Sequence, residues 1–259
     1  MNGRASQLGG ERDIMANDDI HQAAAALRSA RRVVVLTGAG ISAESGVPTF
    51  RGPEGLWRKY RAEDLATPEA FARDPILVWE WYDWRRGIIA KVGPNPGHLV
   101  LARWEARFPA FTLITQNVDG LHALAGSQRL LELHGNIWKT RCPEEGRIVE
   151  NRNVPLSPIP PRCAFCGGLL RPHIVWFGEG LDPGVLGEAY AASAQAEVML
   201  VVGTSALVHP AASLPLAAAE SGATIIEINP DPTPLTPYAD FPLRGKAGDI
   251  LPRLDAALD

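Results

Sequence analysis

Four short apolar runs in this 259-residue chain each end on glycine or a polar residue, and that repeated junction restricts the folds available. Val33 to Leu36 runs into Thr37-Gly38-Ala39-Gly40, and Ala110 to Thr115 runs into Gln116-Asn117-Val118-Asp119. Val198 to Val202 runs into Gly203-Thr204-Ser205, and Thr224 to Ile228 into Asn229-Pro230-Asp231. A short, continuous, β-branched run suits a parallel strand buried on both faces. Helix-like segments lie between the runs, as parallel crossovers require. The expectation is an α/β fold: a Rossmann-like, doubly wound parallel sheet with its ligand across the carboxyl ends of the strands. Ahead of the first run, Asp18 or Asp19 is expected to cap a helix over HQAAAALRSA.

Two stretches break the rhythm. Residues 52–97 are tryptophan-rich and helix-like, with PEAFARDPILVWEWYDWRRGIIAKV as one main run; residues 139–172 are proline-rich and hold all the cysteines. Both read as insertions forming a smaller module beside the sheet. The expected layout is a flexible leader over 1–19 and one domain over 20–259. Its Rossmann-like core covers about 20–50, 98–138 and 180–259, and its small module about 52–97 and 139–179. A net charge of -4 leaves no electrostatic footprint for nucleic acid. No apolar run reaches the eighteen or so residues that span a bilayer, so no membrane partner is expected. The first twenty residues lack the apolar stretch of a secretory signal and carry acids that transit peptides avoid, so a cytoplasmic protein is expected, starting at Met1 or Met15. No sequence feature demands an interface, so a monomer is expected.

The segment Gly38-Ala39-Gly40-Ile41-Ser42 has the form of a phosphate cradle at a strand-to-helix turn, without the GxGxxG spacing of dehydrogenases. By itself a GAG turn is explained as readily by a structural turn as by a cofactor. Read onward, it becomes GAGISAESGVPTFRG, followed in order by TQNVDGLH (115–122), LELHGN (131–136), HIVWFGE (173–179), VVGTS (201–205) and the Asn229 loop. These ordered blocks resemble the sirtuins, NAD-dependent protein deacylases, over roughly residues 30 to 250.

The resemblance implies cleavage of the nicotinamide–ribose bond of NAD and transfer of an acyl group from protein lysine to the ribose. His134 is then the general base, with Asn117 and Asp119 beside the ribose and nicotinamide amide; histidine titrates near neutrality, as a base should. Gly38, Ala39, Gly40, Ile41, Ser42, Glu44 and Gln116 are expected around the cofactor. Phe50 and Arg51 are expected to shield the reactive ribose from water. Gly203, Thr204 and Ser205 are expected near phosphate and ribose, Asn229 at the adenosine ribose, and Ala247 at the adenine. Val175, Trp176, Phe177, Gly178 and Glu179 resemble the edge on which an acyl-lysine peptide adds as a strand. Of the other histidines, His21, His98 and His209 read as structural, and His122 as a support.

Tyr82 and Arg85, spaced i and i+3, share one helix face. In desuccinylase-type sirtuins this pair lines the acyl pocket, where an arginine fork grips a carboxylate and the tyrosine hydroxyl adds a hydrogen bond. Succinyl or malonyl preference is therefore expected over acetyl. Cys142, Cys163 and Cys166 cluster as a metal site does, and sirtuins of this type carry two CxxC pairs holding zinc. Here the first pair has Glu145 in place of its second cysteine. A Cys3Glu zinc site and a vestigial site both remain open. The competing functions are a general deacetylase, an ADP-ribosyltransferase using the same intermediate, and a non-catalytic NAD-binding module. The base at His134 speaks against the last.

Overall fold

The computed structural model describes residues 18–48 and 62–259. Six strands form one parallel sheet: β1 (Arg32–Thr37), β2 (Ala110–Thr115), β3 (Leu130–Glu132), β7 (Val198–Val202), β8 (Thr224–Asn229) and β9 (Phe241–Arg244), in the order β3-β2-β1-β7-β8-β9. Alternate residues of the central strands feed two different cores. Val33, Val35, Leu113, Leu200 and Ile226 face one layer, with α6 (Pro96–Arg107), α10 (Ala247–Ala257) and a first helix, α1, over residues 18–29. Val34, Leu36, Ile114, Met199 and Ile225 face the other, with α8 (Pro183–Gln195) and α9 (Leu214–Glu220). The strands are apolar throughout because both faces are covered.

From β1 the chain moves outward to β2 and β3, then returns to lay β7 on the other side of β1. The order reverses at β1, so the crevice of a doubly wound sheet opens there. The loops after β1 and β7, which carry Gly38, Gly40 and Gly203, meet at this point.

The small module comes from two excursions of the chain. One supplies α3 (Ala62–Leu65), α4 (Pro68–Arg73) and α5 (Pro75–Ile89) between β1 and β2. The other supplies an antiparallel sheet of β4 (Gly135–Arg141), β5 (Ile148–Glu150) and β6 (Arg171–Ile174), ordered β5-β4-β6. Val78, Trp79, Trp81, Tyr82, Ile137, Trp138 and Trp176 join the two in a single core. β4 of the small sheet begins at Gly135, so residues 135–138 belong to that strand and not to a strand of the large sheet.

The expected single helical run over PEAFARDPILVWEWYDWRRGIIAKV is two helices. Asp74 ends α4 and caps α5, its side chain accepting from the Leu77 amide at 3.0 Å. Pro75 restricts the residue before it and has no N–H to continue α4. The same device, a polar cap followed by proline, starts α4 (Thr67, Pro68), α6 (Asn95, Pro96) and α8 (Asp182, Pro183). The expected cap at Asp18 or Asp19 is corrected: both residues lie within helical turns of α1. Among the described residues no helix is long and apolar enough to cross a membrane.

Candidate active site

The strand ends at the reversal are locked to one another before any ligand is considered. A Cβ on Gly38 would lie 2.7 Å from the Thr204 side chain, and one on Gly40 would lie 2.7 Å from Gly203. Gly203 itself has φ +60, and a Cβ there would sit 2.6 Å from the Ile41 amide. Gly40 donates to the Gly203 carbonyl at 2.8 Å. All three positions therefore require glycine for the contact of two loops. Ala39, Ile41 and Ser42 follow in α2 (Ala39–Ala43), with Ile41 and Ser42 buried.

Gln116 ties the site together. Its amide donates to the Thr37 carbonyl at 3.0 Å, and its side-chain Nε2 donates to Thr204 Oγ1 at 2.9 Å. Its carbonyl lies 2.9 Å from His134 Nδ1. A carbonyl only accepts, so Nδ1 carries the proton and Nε2 carries the lone pair. Burial holds the His134 pKa below its ordinary value, opposed by the Gln116 hydrogen bond. The ring is thus neutral at neutral pH, as a general base must be.

The backbone at His134 is fixed from both sheets. The Leu133 amide donates to Thr115 of β2 at 3.0 Å, and the His134 carbonyl accepts from Val175 at 2.9 Å. The next residue, Gly135, has φ +81, and a Cβ there would lie 2.2 Å from the His173 carbonyl. Only glycine permits this approach, so the chain crosses from the large to the small sheet at the histidine.

Behind this edge lies a buried polar cluster. Asn117 donates to the Gly38 carbonyl at 3.0 Å and to Ser42 Oγ at 3.1 Å. Asp119 accepts from the Leu121 amide at 2.8 Å, and the Trp138 indole N–H donates to the Asp119 carbonyl at 2.7 Å. Burial raises the Asp119 pKa, against the Leu121 amide, a Ser42 hydrogen bond and the nearby Arg85 charge. His98 Nε2 lies 3.5 Å from Ser42 Oγ. His122, on the short helix α7 (Leu121–Leu124), places Nε2 2.9 Å from Thr37 Oγ1. Burial drops these two histidines to about 4 and about 3, so both are neutral supports. The part played by Ser42, which joins Asn117, Asp119 and His98, was not legible in the sequence, because it depends on the α2–α6 contact. The one local signal was the Asn95-Pro96 start of α6, whose Asn95 Nδ2 donates to the Ile41 carbonyl at 2.6 Å.

The remaining expected cofactor residues are placed as follows. Asn229 Nδ2 donates to the Thr204 carbonyl at 3.0 Å, and Ser205 follows half-buried. Glu44 accepts from the Gly248 amide at 3.0 Å, which attaches it to the first turn of α10 beside buried Ala247. Phe50 and Arg51 lie outside the described residues.

On α5, Tyr82 and Arg85 share a buried face. The Trp176 indole N–H donates to Tyr82 Oη at 2.9 Å, so the phenol proton remains available to a further acceptor. Burial pushes the Tyr82 pKa up to about 12, which keeps it a donor. The Arg85 guanidinium lies 4.9 Å from the Trp81 ring centroid and 5.7 Å from that of Tyr82, with Asp119 among its charged neighbours. Burial lowers the Arg85 pKa, yet arginine keeps its charge at neutral pH. The adjacent Arg86 points elsewhere, donating to the carbonyl and side-chain oxygen of Asn151 and stacking over Trp138.

The segment after β6 is firmly held. Val175 donates to the His134 carbonyl, Phe177 donates to Ala66 at 2.9 Å, and Trp176 donates to Glu179 at 2.9 Å. These three amides are committed within the chain, so a peptide strand laid here is not gripped through them. Glu179 is a bidentate partner of Arg171, at 2.5 and 2.8 Å, rather than a group presented outward. Gly178 follows exposed Phe177 in the same turn.

Cys142, Cys163 and Cys166 place their sulfurs within 4.8 Å of one another. That fits three corners of a tetrahedral zinc site. Glu145 is outside the cluster: its carboxylate pairs with Arg147 at 2.9 Å.

The Sir2 family profile matches residues 38–210. The NAD-dependent protein deacylase of Aquifex aeolicus is 58% identical over 222 residues, covering 86% of this chain and 93% of its own. Among solved structures, a Sir2 homologue in complex with NAD superposes with a TM-score of 0.87 at 49% identity, covering 92% of this chain and 93% of that one. A mutant Sir2 homologue in complex with 2'-O-acetyl ADP ribose gives 0.86 at 49% identity, covering 92% and 95%.

Proposed function

Since the chain belongs to the Sir2 family and is an NAD-dependent protein deacylase, we propose that it prefers acidic acyl groups, succinyl and malonyl, on protein lysines. The observation that carries the preference is the buried pair on α5: a guanidinium walled by aromatic rings, beside a neutral phenol whose proton is available. A carboxylate reaching this pair gains charge-assisted hydrogen bonds in a dry site, whereas an acetyl group ends short of it.

In this reading NAD lies across the reversal of the sheet, over the loops of Gly38, Gly40, Gly203, Thr204 and Ser205. The adenosine end lies toward Asn229, Glu44 and Ala247. Asn117 and Asp119 face the nicotinamide ribose, and Phe50 and Arg51 cover it. NAD supplies the electrophilic ribose carbon, and the acyl oxygen of the substrate is its partner. His134 Nε2 takes the ribose hydroxyl proton, with Nδ1–H anchored on the Gln116 carbonyl. The acyl-lysine protein runs along residues 175–178, beside His134 and within one indole of Tyr82. With one water consumed as the lysine amine leaves, the products are nicotinamide, O-acyl-ADP-ribose and free lysine. The test is turnover of matched succinyl- and acetyl-lysine peptides with NAD, with product masses reporting where the acyl group goes. ADP-ribose attached to protein instead would mark the transferase alternative.

We also propose that the cysteine triad holds zinc through three thiolates, which staples β4 to the 163–166 turn and takes no part in the chemistry. With Glu145 engaged by Arg147, the fourth position is left to solvent and the metal is held weakly. Dialysis against a chelator should remove zinc from the wild type and lower Tm by several degrees, while Glu145→Cys should retain it under the same conditions. Equal retention in both proteins would show that Glu145 already closes the site.

A further inference from the structure

A cavity of about 370 Å³ lies where α4, β4 and the segment after β6 meet, lined by Phe71, Arg141, Arg171 and Trp176 among others. Its charge is unbalanced. Arg141 of β4 and Arg171 of β6 are direct cross-strand partners, and like charges placed opposite each other repel. Glu179 neutralises one of them, using both oxygens on Arg171. Lys139, two residues before Arg141, is neutralised by Glu132 at 2.8 Å. Arg141 is half-buried and forms no ion pair among the described residues. One partly desolvated guanidinium therefore lines the cavity without a direct ion pair, next to a second cation: the carboxylate that acts on it, Glu179, has both oxygens bound to Arg171.

Trp176 sets where this cavity stands. Its ring carries the Arg171 guanidinium at 3.5 Å and packs on Phe71 at 5.3 Å, while its indole N–H reaches Tyr82. The cavity is thus separated from the acyl pocket by a single side chain. We infer that it is a subsite for an acidic side chain, aspartate or glutamate, near the acylated lysine of the substrate protein, with Arg141 as its specificity-determining residue. A carboxylate here completes the charge balance that Glu179 completes for Arg171. The inference rests on the placement of the acyl-lysine beside Trp176 proposed above.

The test uses a peptide with one acylated lysine and neutral flanks, into which glutamate or lysine is introduced at each flanking position in turn. In the wild type the best glutamate peptide should exceed the neutral one by about tenfold in kcat/KM, as a partly buried charge-assisted bond predicts. The gain should lie in KM, not kcat, and shrink as salt rises. Arg141→Gln should bring the ratio to about one, Arg141→Lys should keep most of it, and Arg141→Glu should favour the lysine peptide. Equal rates on acidic and neutral flanks in the wild type, or a ratio unmoved by Arg141→Glu, would overturn the subsite. If the wild type fails on the neutral peptide as well, the placement of the acyl-lysine falls, and the subsite with it.

Discussion

His134→Asn is expected to lower kcat for deacylation by about 10²- to 10⁴-fold, the usual contribution of a positioned general base. The loss should be in turnover, with NAD still bound and Tm little changed, because the backbone at 134 is held by Leu133 and Val175 rather than by the ring. The wild-type pH profile should carry the same signature. Burial lowers the His134 pKa, so as pH falls below neutrality the base stays unprotonated for longer than a free imidazole does. The acid limb of kcat/KM should therefore fall through a midpoint below the ordinary value of about 6.5. An acid limb centred above that value, or one that persists in His134→Asn, would assign the base to another group.

Arg85→Met should reduce kcat/KM on succinyl-lysine by about 10²-fold, since truncating one member of a buried, hydrogen-bonded charge pair costs about 3 kcal/mol. Methionine matches much of the stem and stays in the Trp81–Tyr82 surroundings, so acetyl-lysine turnover should fall far less. Tyr82→Phe should cost about tenfold more on succinyl-lysine than on acetyl-lysine, since it removes the phenol proton, while loss of the acceptor of Trp176 should weaken both alike. Equal losses on both acyl groups would mean that Arg85 supports the module and does not read the acyl carboxylate.

How much was readable in the sequence follows the physics of each element. β2 and β7 have the bounds of their apolar runs, because strands covered on both faces write themselves as unbroken hydrophobic segments. β9 escaped notice: at the sheet edge it is short and carries Pro242, which only an edge strand tolerates. β5 was equally silent, being three exposed residues inside a proline-rich stretch. At the site, the strand-end residues Gly38, Asn117 and Gly203 were legible because a doubly wound sheet delivers its loops to one edge. The roles of Trp176 and Arg171 were not, since the first meets Tyr82 94 residues away and the second meets Glu179 through a turn no local pattern announces. Glu179 was read only as part of that edge; that its carboxylate braces the segment, through Arg171 and the Trp176 amide, is a contact the motif does not announce.

The most direct test of the central claim is the ratio of kcat/KM for succinyl-lysine over acetyl-lysine, measured on one peptide sequence with saturating NAD. The Tyr82–Arg85 pair predicts a ratio of at least about ten. A ratio of one or below would contradict it, and would make this chain a general deacetylase whose buried arginine serves only the fold.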